Sequence, residues 1–335
     1  MRRFALLALG ASLTIGCEPG DEYFEPLPEV IDSSFAKDGT EIVTFRTIVD
    51  NGTVGNGFEW NGLRWNGLRW NGTEINSATV TSVTYDSTDG TFEALDDQSN
   101  PIALSPSDEF IAEGDHTDGT DTEVKVSEIE QFTGGVHNFQ FQRVQTRVLP
   151  SGEWEDACLD GAGNPTKAIL LKGDWESPEY SRITGAEADS ATTWACRGAA
   201  LAKCVEWGYH PEGISSSTPL SDHHQACTRM VRADYCGNGD HHTENGTPID
   251  IEDSLGIQTH SSAWDIEAAW GPNGALCVND PRKTWWTREA ASIGCTLPTC
   301  GTDVAYWFGQ GALFVTRNQP SALIAEEPAD PDSGG

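Results

Sequence analysis

Eight cysteines fall between residues 158 and 300, and none stands between residues 18 and 157. They are Cys158, Cys196, Cys204, Cys227, Cys236, Cys277, Cys295 and Cys300; the ninth, Cys17, lies near the N-terminus. An even set in an exported chain reads as a disulfide framework, so the second half is stapled and the first is not. The pairing stays open, because eight cysteines admit roughly a hundred complete pairings. None of the eight has the CxxC spacing of structural zinc sites, which disfavours that use. A cysteine nucleophile would break the even count.

Export is read from the first 17 residues. Arg2 and Arg3 precede an apolar run, Phe4 to Ile15, that ends at Gly16-Cys17. A basic start, a short apolar stretch and a small residue before the break make a secretory signal, too short to span a bilayer. The ending Leu13-Thr14-Ile15-Gly16-Cys17 resembles a bacterial lipobox, in which the cysteine becomes the lipid-modified N-terminus. Thr14 departs from the leucine usual there; plain secretion with Cys17 free or paired is the alternative. Residues 18–45 are rich in Glu, Asp, Pro and Ser and read as a flexible acidic tether. The whole chain carries 52 acids against 20 lysines and arginines, a formal charge of −32. Such a surface repels nucleic acid and anionic headgroups and loosely attracts cations such as calcium.

Residues 56–76 repeat with period five, NGFEWNGLRWNGLRWNGTEIN, bringing Trp60, Trp65 and Trp70 into phase. Neither the helical nor the strand period fits. A five-residue step resembles the faces of a pentapeptide solenoid, with Asn-Gly supplying the positive φ of each turn. One coil cannot bury a core alone. The tryptophans therefore pack on the body or stack on sugar rings.

The remainder of 46–150 reads as β-rich. SATVTSVTY alternates and TFEAL returns after a TDG turn, and VHNFQFQRVQTRVLP sets His137, Phe139 and Phe141 on one face. Asp115, Asp118, Asp121 and Glu123 lie in an acidic loop between strands, able to clasp calcium or simply to be solvated. Residues 151–317 form the stapled domain. Ala168 to Leu171 reads as a buried strand. Cys196, Ala199, Ala200, Cys204 and Trp207 share one helical face, predicting a helix over 192–208. A second helix is expected from Ser221 to Tyr235, with Gly237 in its terminal turn. Cysteines on facing stripes make a disulfide between the two helices natural. Residues 302–317 read as a last strand or short helix, and 318–335 as a disordered acidic tail. The expected class is α+β: a β-rich N-terminal half, then a disulfide-braced α+β domain with two short helices.

The densest polar cluster is Cys227 to Asp253, CTRMVRADYCGNGDHHTENGTPIDIED. Asp240, His241, His242, Glu244, Asp250 and Asp253 offer nitrogen and oxygen ligands to a divalent metal. Zinc would need three or four converging ligands with one position open for catalysis, and no HExxH motif is present. Calcium on Asn238, Asp240 and Glu244 is a second reading. A hydrogen-bonded loop with solvated acids and His242 on backbone is the third. Arg229, Arg232 and Asp234 read as a buried ion-pair network, because a buried acid needs a partner. Ser215 to Ser217 lie near His223 and His224, but no GxSxG elbow exists. Glu267 with Asp250 is a conceivable glycosidase pair, as in any acidic protein.

At Arg232-Ala233-Asp234-Tyr235-Cys236-Gly237 the sequence resembles the ADYC-domain proteins, from about Trp154 to about Arg282. Ala195-Cys196-Arg197-Gly198, Lys203-Cys204-Val205 with Trp207-Gly208-Tyr209, and Gln225 to Met230 carry the resemblance further. So do His242-Thr243, Gly246 to Asp250 and Glu267 to Trp270. The resemblance implies a bacterial, typically myxobacterial, envelope protein, often a lipoprotein, and brings no activity with it. The expectation is a monomeric outer-membrane or cell-surface lipoprotein, held by Cys17, binding a glycan or envelope protein, with no nucleic-acid partner. The competing expectation is a metal-assisted extracellular hydrolase at residues 237–253, holding zinc or calcium.

Overall fold

In a computed structural model the described residues all fall within one compact unit, 33–335. The structure describes 49–51, 69–70, 74–75, 78–79, 82–86 and, within 91–318, all but 97, 103, 116–120, 134–135, 161–162, 174, 177–180, 183–191, 244–246, 283–291. The leader, Cys17, the tether, Trp60, Trp65 and the tail from 319 onward lie outside the described residues.

Two antiparallel sheets and three helices dominate. Asp121–Phe132 alternates apolar and polar residues, and Val124 and Val126 turn inward. It pairs with Phe139–Val148, and a bulge sets Glu128 and Ile129 opposite Gln142. The extra residue takes φ 49° at Glu128 and restores Ile129 to the core. Outward from this pair run Ala168–Lys172 and Thr192–Cys196 on one side, Phe110–Asp115 and Arg69–Trp70 on the other. Glu155–Asp156 adds a seventh, short strand against Phe139–Val148. The sheet thus joins strands from both sides of residue 150. Ala168 to Leu171 is completely buried, as its apolar run predicts.

The second sheet is five-stranded, in the order Val49–Asn51, Thr247–Asp253, Phe314–Asn318, Asp265–Gly271, Gly274–Val278. Between the sheets sit α1 (Ala200–Glu206) and α2 (Ser221–Arg232). Leu201, Ala202 and Val205 of α1 pack on Phe139, Phe141 and Ile169 of the seven-stranded sheet. Its Ala200 and Cys204 join Cys227, Met230 and Val231 of α2 in the largest core cluster, with Trp270, Phe314 and Ile249 from the second sheet. A third helix, α3 (Val304–Gly309), follows an Asp303 cap that accepts from the Tyr306 amide at 2.9 Å. The segment expected to be strand or helix therefore holds both, α3 and then Phe314–Asn318.

One expected helix is much shorter. Residues 192–196 are a strand, in register with Lys172 to Ala168; only Ala200–Glu206 is helical. Thr192, Thr193 and Trp194 suit a pleated surface, and Gly198 at φ 91° breaks the chain direction before the helix starts. The helical spacing of Cys196 and Ala199 with Cys204 is coincidental across that break. α2 begins at Ser221 as expected but ends at Arg232, because Ala233 turns left-handed at φ 53°.

The four bridges are Cys158–Cys196, Cys204–Cys227, Cys236–Cys295 and Cys277–Cys300. Cys204–Cys227 is the expected link between α1 and α2. Four bridges belong to an oxidising, extracytoplasmic compartment. No helix among the described residues is long and apolar enough to cross a membrane.

Candidate functional site

The turn after α2 gathers more buried charge than any other described stretch. Ala233 ends the helix in the left-handed region, where a Cβ is strained; its methyl is fully buried in the core, which offsets that strain. The reversed chain brings Asp234, 0% exposed, back onto Arg229, 2% exposed, in a direct ion pair. Asp234 also accepts the amides of Asn238 at 3.1 Å and Gly239 at 3.0 Å. Arg229 further donates to the Ser181 hydroxyl at 2.6 Å. Arg232 donates to the Gly239 carbonyl at 2.6 Å. The expected network of Arg229, Arg232 and Asp234 is thus present, built around the turn and not along a helix stripe.

Tyr235 leads a second network that the spacing of residues did not reveal. Its hydroxyl donates to Glu267 at 2.6 Å and accepts the Arg282 amide at 2.6 Å. The Arg282 guanidinium holds both Glu267 oxygens at 3.1 and 3.2 Å. It also donates to the Met230 and Val231 carbonyls at 3.1 and 3.3 Å. These are carbonyls of the last turn of α2, where a cation is favoured. Burial, then the Glu267 charge, push the Tyr235 phenol well above its ordinary range. The Tyr235 ring stacks on Trp270 at 5.0 Å. Cys236 leaves the turn to Cys295. Gly237, at φ 68°, lies where any Cβ would collide with the Asn273 carbonyl.

The metal candidates are dispersed. Asp240 is exposed and bonded to the Asn238 side chain at 2.8 Å. His241 is exposed and His242 partly buried. His242 Nδ1 lies 3.2 Å from the Ala233 carbonyl, which only accepts, so Nδ1 carries the proton. Asp250 and Asp253 are both buried in the strand Thr247–Asp253. Asp250 accepts the Ser261 and Ser262 amides at 3.1 and 2.6 Å. Asp253 accepts the Leu255 amide at 2.7 Å, the Gln258 amide, and the Tyr209 hydroxyl at 2.9 Å. Each therefore organises the loop that follows. Glu244 lies outside the described residues. Among the described residues no group of three or more His, Cys, Asp or Glu is arranged to hold a metal.

The other candidates fall elsewhere. Trp70 belongs to a short strand paired with Phe110–Asp115. In the acidic loop Asp115 pairs across the hairpin with Asp121, Asp118 lies outside the described residues, and Glu123 is buried against Arg147. Ser215 and Thr218 form a two-stranded turn. His224 is buried, its Nε2 against the Leu201 carbonyl at 3.1 Å, and burial lowers its pKa to about 3. His223 bonds the Ser254 hydroxyl at 3.1 Å. Beside the bulge, a shallow depression is lined by Pro106, Ile129, Gln131 and the ion pair of Lys167 with Glu130 at 3.0 Å.

Fold and site together define a disulfide-braced, mixed antiparallel α+β domain centred on a charged turn after its longest helix. The profile of the ADYC domain matches residues 108–284, more than half of the chain, and the protein belongs to that family. The match opens at 108, taking in the long hairpin of the first sheet, and so begins well before Trp154. No curated protein and no solved structure matches the chain.

Proposed function

We propose that the protein is an exported lipoprotein of a bacterial cell envelope, anchored through Cys17. Its braced domain is a rigid binding or structural module for a glycan or an envelope protein. The observation that carries this reading is the use of the acids around the family's signature. Asp234, Asp250, Asp253 and Glu267 are buried, and each accepts hydrogen bonds from this chain's own amides, arginines or tyrosines. A general base or metal ligand needs a lone pair turned toward substrate or ion; carboxylates held this way stiffen a scaffold instead. The tryptophans of the five-residue repeat supply aromatic faces suited to sugar rings.

The test uses the mature lipidated protein, purified oxidised without chelator. Elemental analysis is combined with binding to a glycan panel, for the native chain and a Trp60→Ala, Trp65→Ala, Trp70→Ala triple variant. Glycan binding lost in the triple variant, with an unchanged melt and no stoichiometric zinc, is the expected result. Stoichiometric zinc, with hydrolysis of a peptide or glycan abolished by His242→Ala, would replace this reading with a metal-assisted hydrolase.

A further inference from the structure

The four bridges differ sharply in access. Cys204, Cys227, Cys277 and Cys158 are essentially buried, and Cys196 and Cys300 are 8% and 7% exposed. In Cys236–Cys295 the second cysteine is exposed and the first only partly buried. Cys295 is flanked by exposed Gly294 and Thr296, and even a Cβ built on Gly294 would meet nothing within 4 Å. Cys295 is therefore the most solvent-exposed of the eight bridged cysteines. The signature's own cysteine sits on the inner side, on a turn packed against Asn273 and Gly274.

This bridge ties down residues 292–300. Their far end is held independently by Cys277–Cys300 and by the Val278 amide on the Pro298 carbonyl at 2.9 Å. Ile293 and Leu297 of this stretch pack on the main core.

We propose that Cys236–Cys295 is a thiol-exchange site, at which an external thiol forms a mixed disulfide on Cys295 and loosens the 292–299 strap. A thiolate attacks Cys295 Sγ; the new sulfur–sulfur bond forms as the bond to Cys236 breaks, and the electron pair leaves on Cys236, which takes a proton. A second thiolate attacks the external sulfur of the mixed disulfide and releases Cys295 as a thiol. Two external thiols are thereby oxidised to one disulfide while the protein bridge is reduced. Access decides which bridge reacts, since exchange requires attack on a sulfur from solvent. The other three bridges stay closed and keep the domain folded.

The experiment treats the full oxidised chain with reduced glutathione, quenches at intervals with N-ethylmaleimide and maps each cysteine by peptide mass spectrometry. The expected result is glutathione on Cys295 and alkylated Cys236 appearing at least about tenfold faster than modification at the six cysteines of the other three bridges. Opening of all four bridges together, or of another bridge first, overturns the proposal. Hydrogen exchange on the partly reduced chain is the second measurement. Protection of residues 292–299 should fall while α2 stays protected; unchanged protection there overturns the strap.

Discussion

The phenol of Tyr235 and the carboxylate of Glu267 meet at 2.6 Å, both completely shielded from water. They join the turn after α2 to the strand Asp265–Gly271 of the second sheet, 32 residues later in the chain. Arg282 closes the triangle by bonding Glu267 and the last carbonyls of α2. This is what the third residue of the signature does.

Tyr235→Phe removes a donor to a buried carboxylate and the acceptor for the Arg282 amide. The loss should be about 1.5–3 kcal/mol, the range for a hydrogen bond to a charged group. Urea unfolding followed by tryptophan fluorescence reads it as a lower midpoint with an unchanged slope.

Asp234→Ala strands the Arg229 guanidinium in the core and leaves the Asn238 and Gly239 amides without their acceptor. A loss of about 3–5 kcal/mol is expected, as for other broken buried pairs. The double variant Arg229→Met, Asp234→Ala should recover part of it, because no buried charge is then left unpaired. Additive losses in that cycle would mean the two side chains do not act as a pair.

Gly237→Ala should be among the most damaging of the small substitutions. It combines a left-handed backbone with a Cβ directed at the Asn273 carbonyl, a mechanism that costs about 1–3 kcal/mol or more. Gly294→Ala, equally left-handed at φ 77° but facing open space, isolates the conformational part; a similar loss in both would remove the role of the Asn273 contact.

Acid should unfold the protein through its buried histidines. Burial lowers His210 and His224 to about 3 in the folded chain, from 6.5. Between those values the unfolded chain binds the extra protons, so stability rises with pH across that window and falls as pH drops below 6.5. Full stability is reached above the unfolded value. The melting temperature should decline from pH 6.5 toward 3, and more gently in His224→Gln, whose amide can still donate to Leu201. An equal slope in the variant would exclude His224 from the effect.

Much of the braced half is legible in the amino-acid sequence. Ala168 to Leu171 announces a buried strand because four apolar residues in a row have no exposed face. α2 is visible because its apolar residues Cys227, Met230 and Val231 recur with the helical period, although the fold buries the helix all round from His223 to Arg232, and Cys204 and Cys227 fall on facing stripes that the fold joins. Arg229 and Asp234 are recognisable as partners because charges inside an apolar stretch cannot remain alone.

Other elements leave no local trace. Thr192–Cys196 copies a helical spacing by chance, and its strand character depends on Ala168–Lys172, a partner 24 residues upstream in register. Asp250 and Asp253 look like ligands because a carboxylate carries the same letter whether it faces a metal or a backbone amide. The amides that claim them, at Ser261, Ser262, Leu255 and Gln258, meet them only once the following loop folds back.

Composition, cysteine parity and periodicity by themselves determined that the chain is acidic, braced in its second half and built of strands around a short helical pair. Each of these follows from local chemistry: charge, an even count of thiols, and spacing along one element. The pairing of the six bridged cysteines other than Cys204 and Cys227, the union of Tyr235 with Glu267 and Arg282, and the exposed bridge at Cys295 were decided by tertiary structure alone. Their partners lie tens of residues apart, and only packing two sheets against two helices sets the distance and the access to solvent between them.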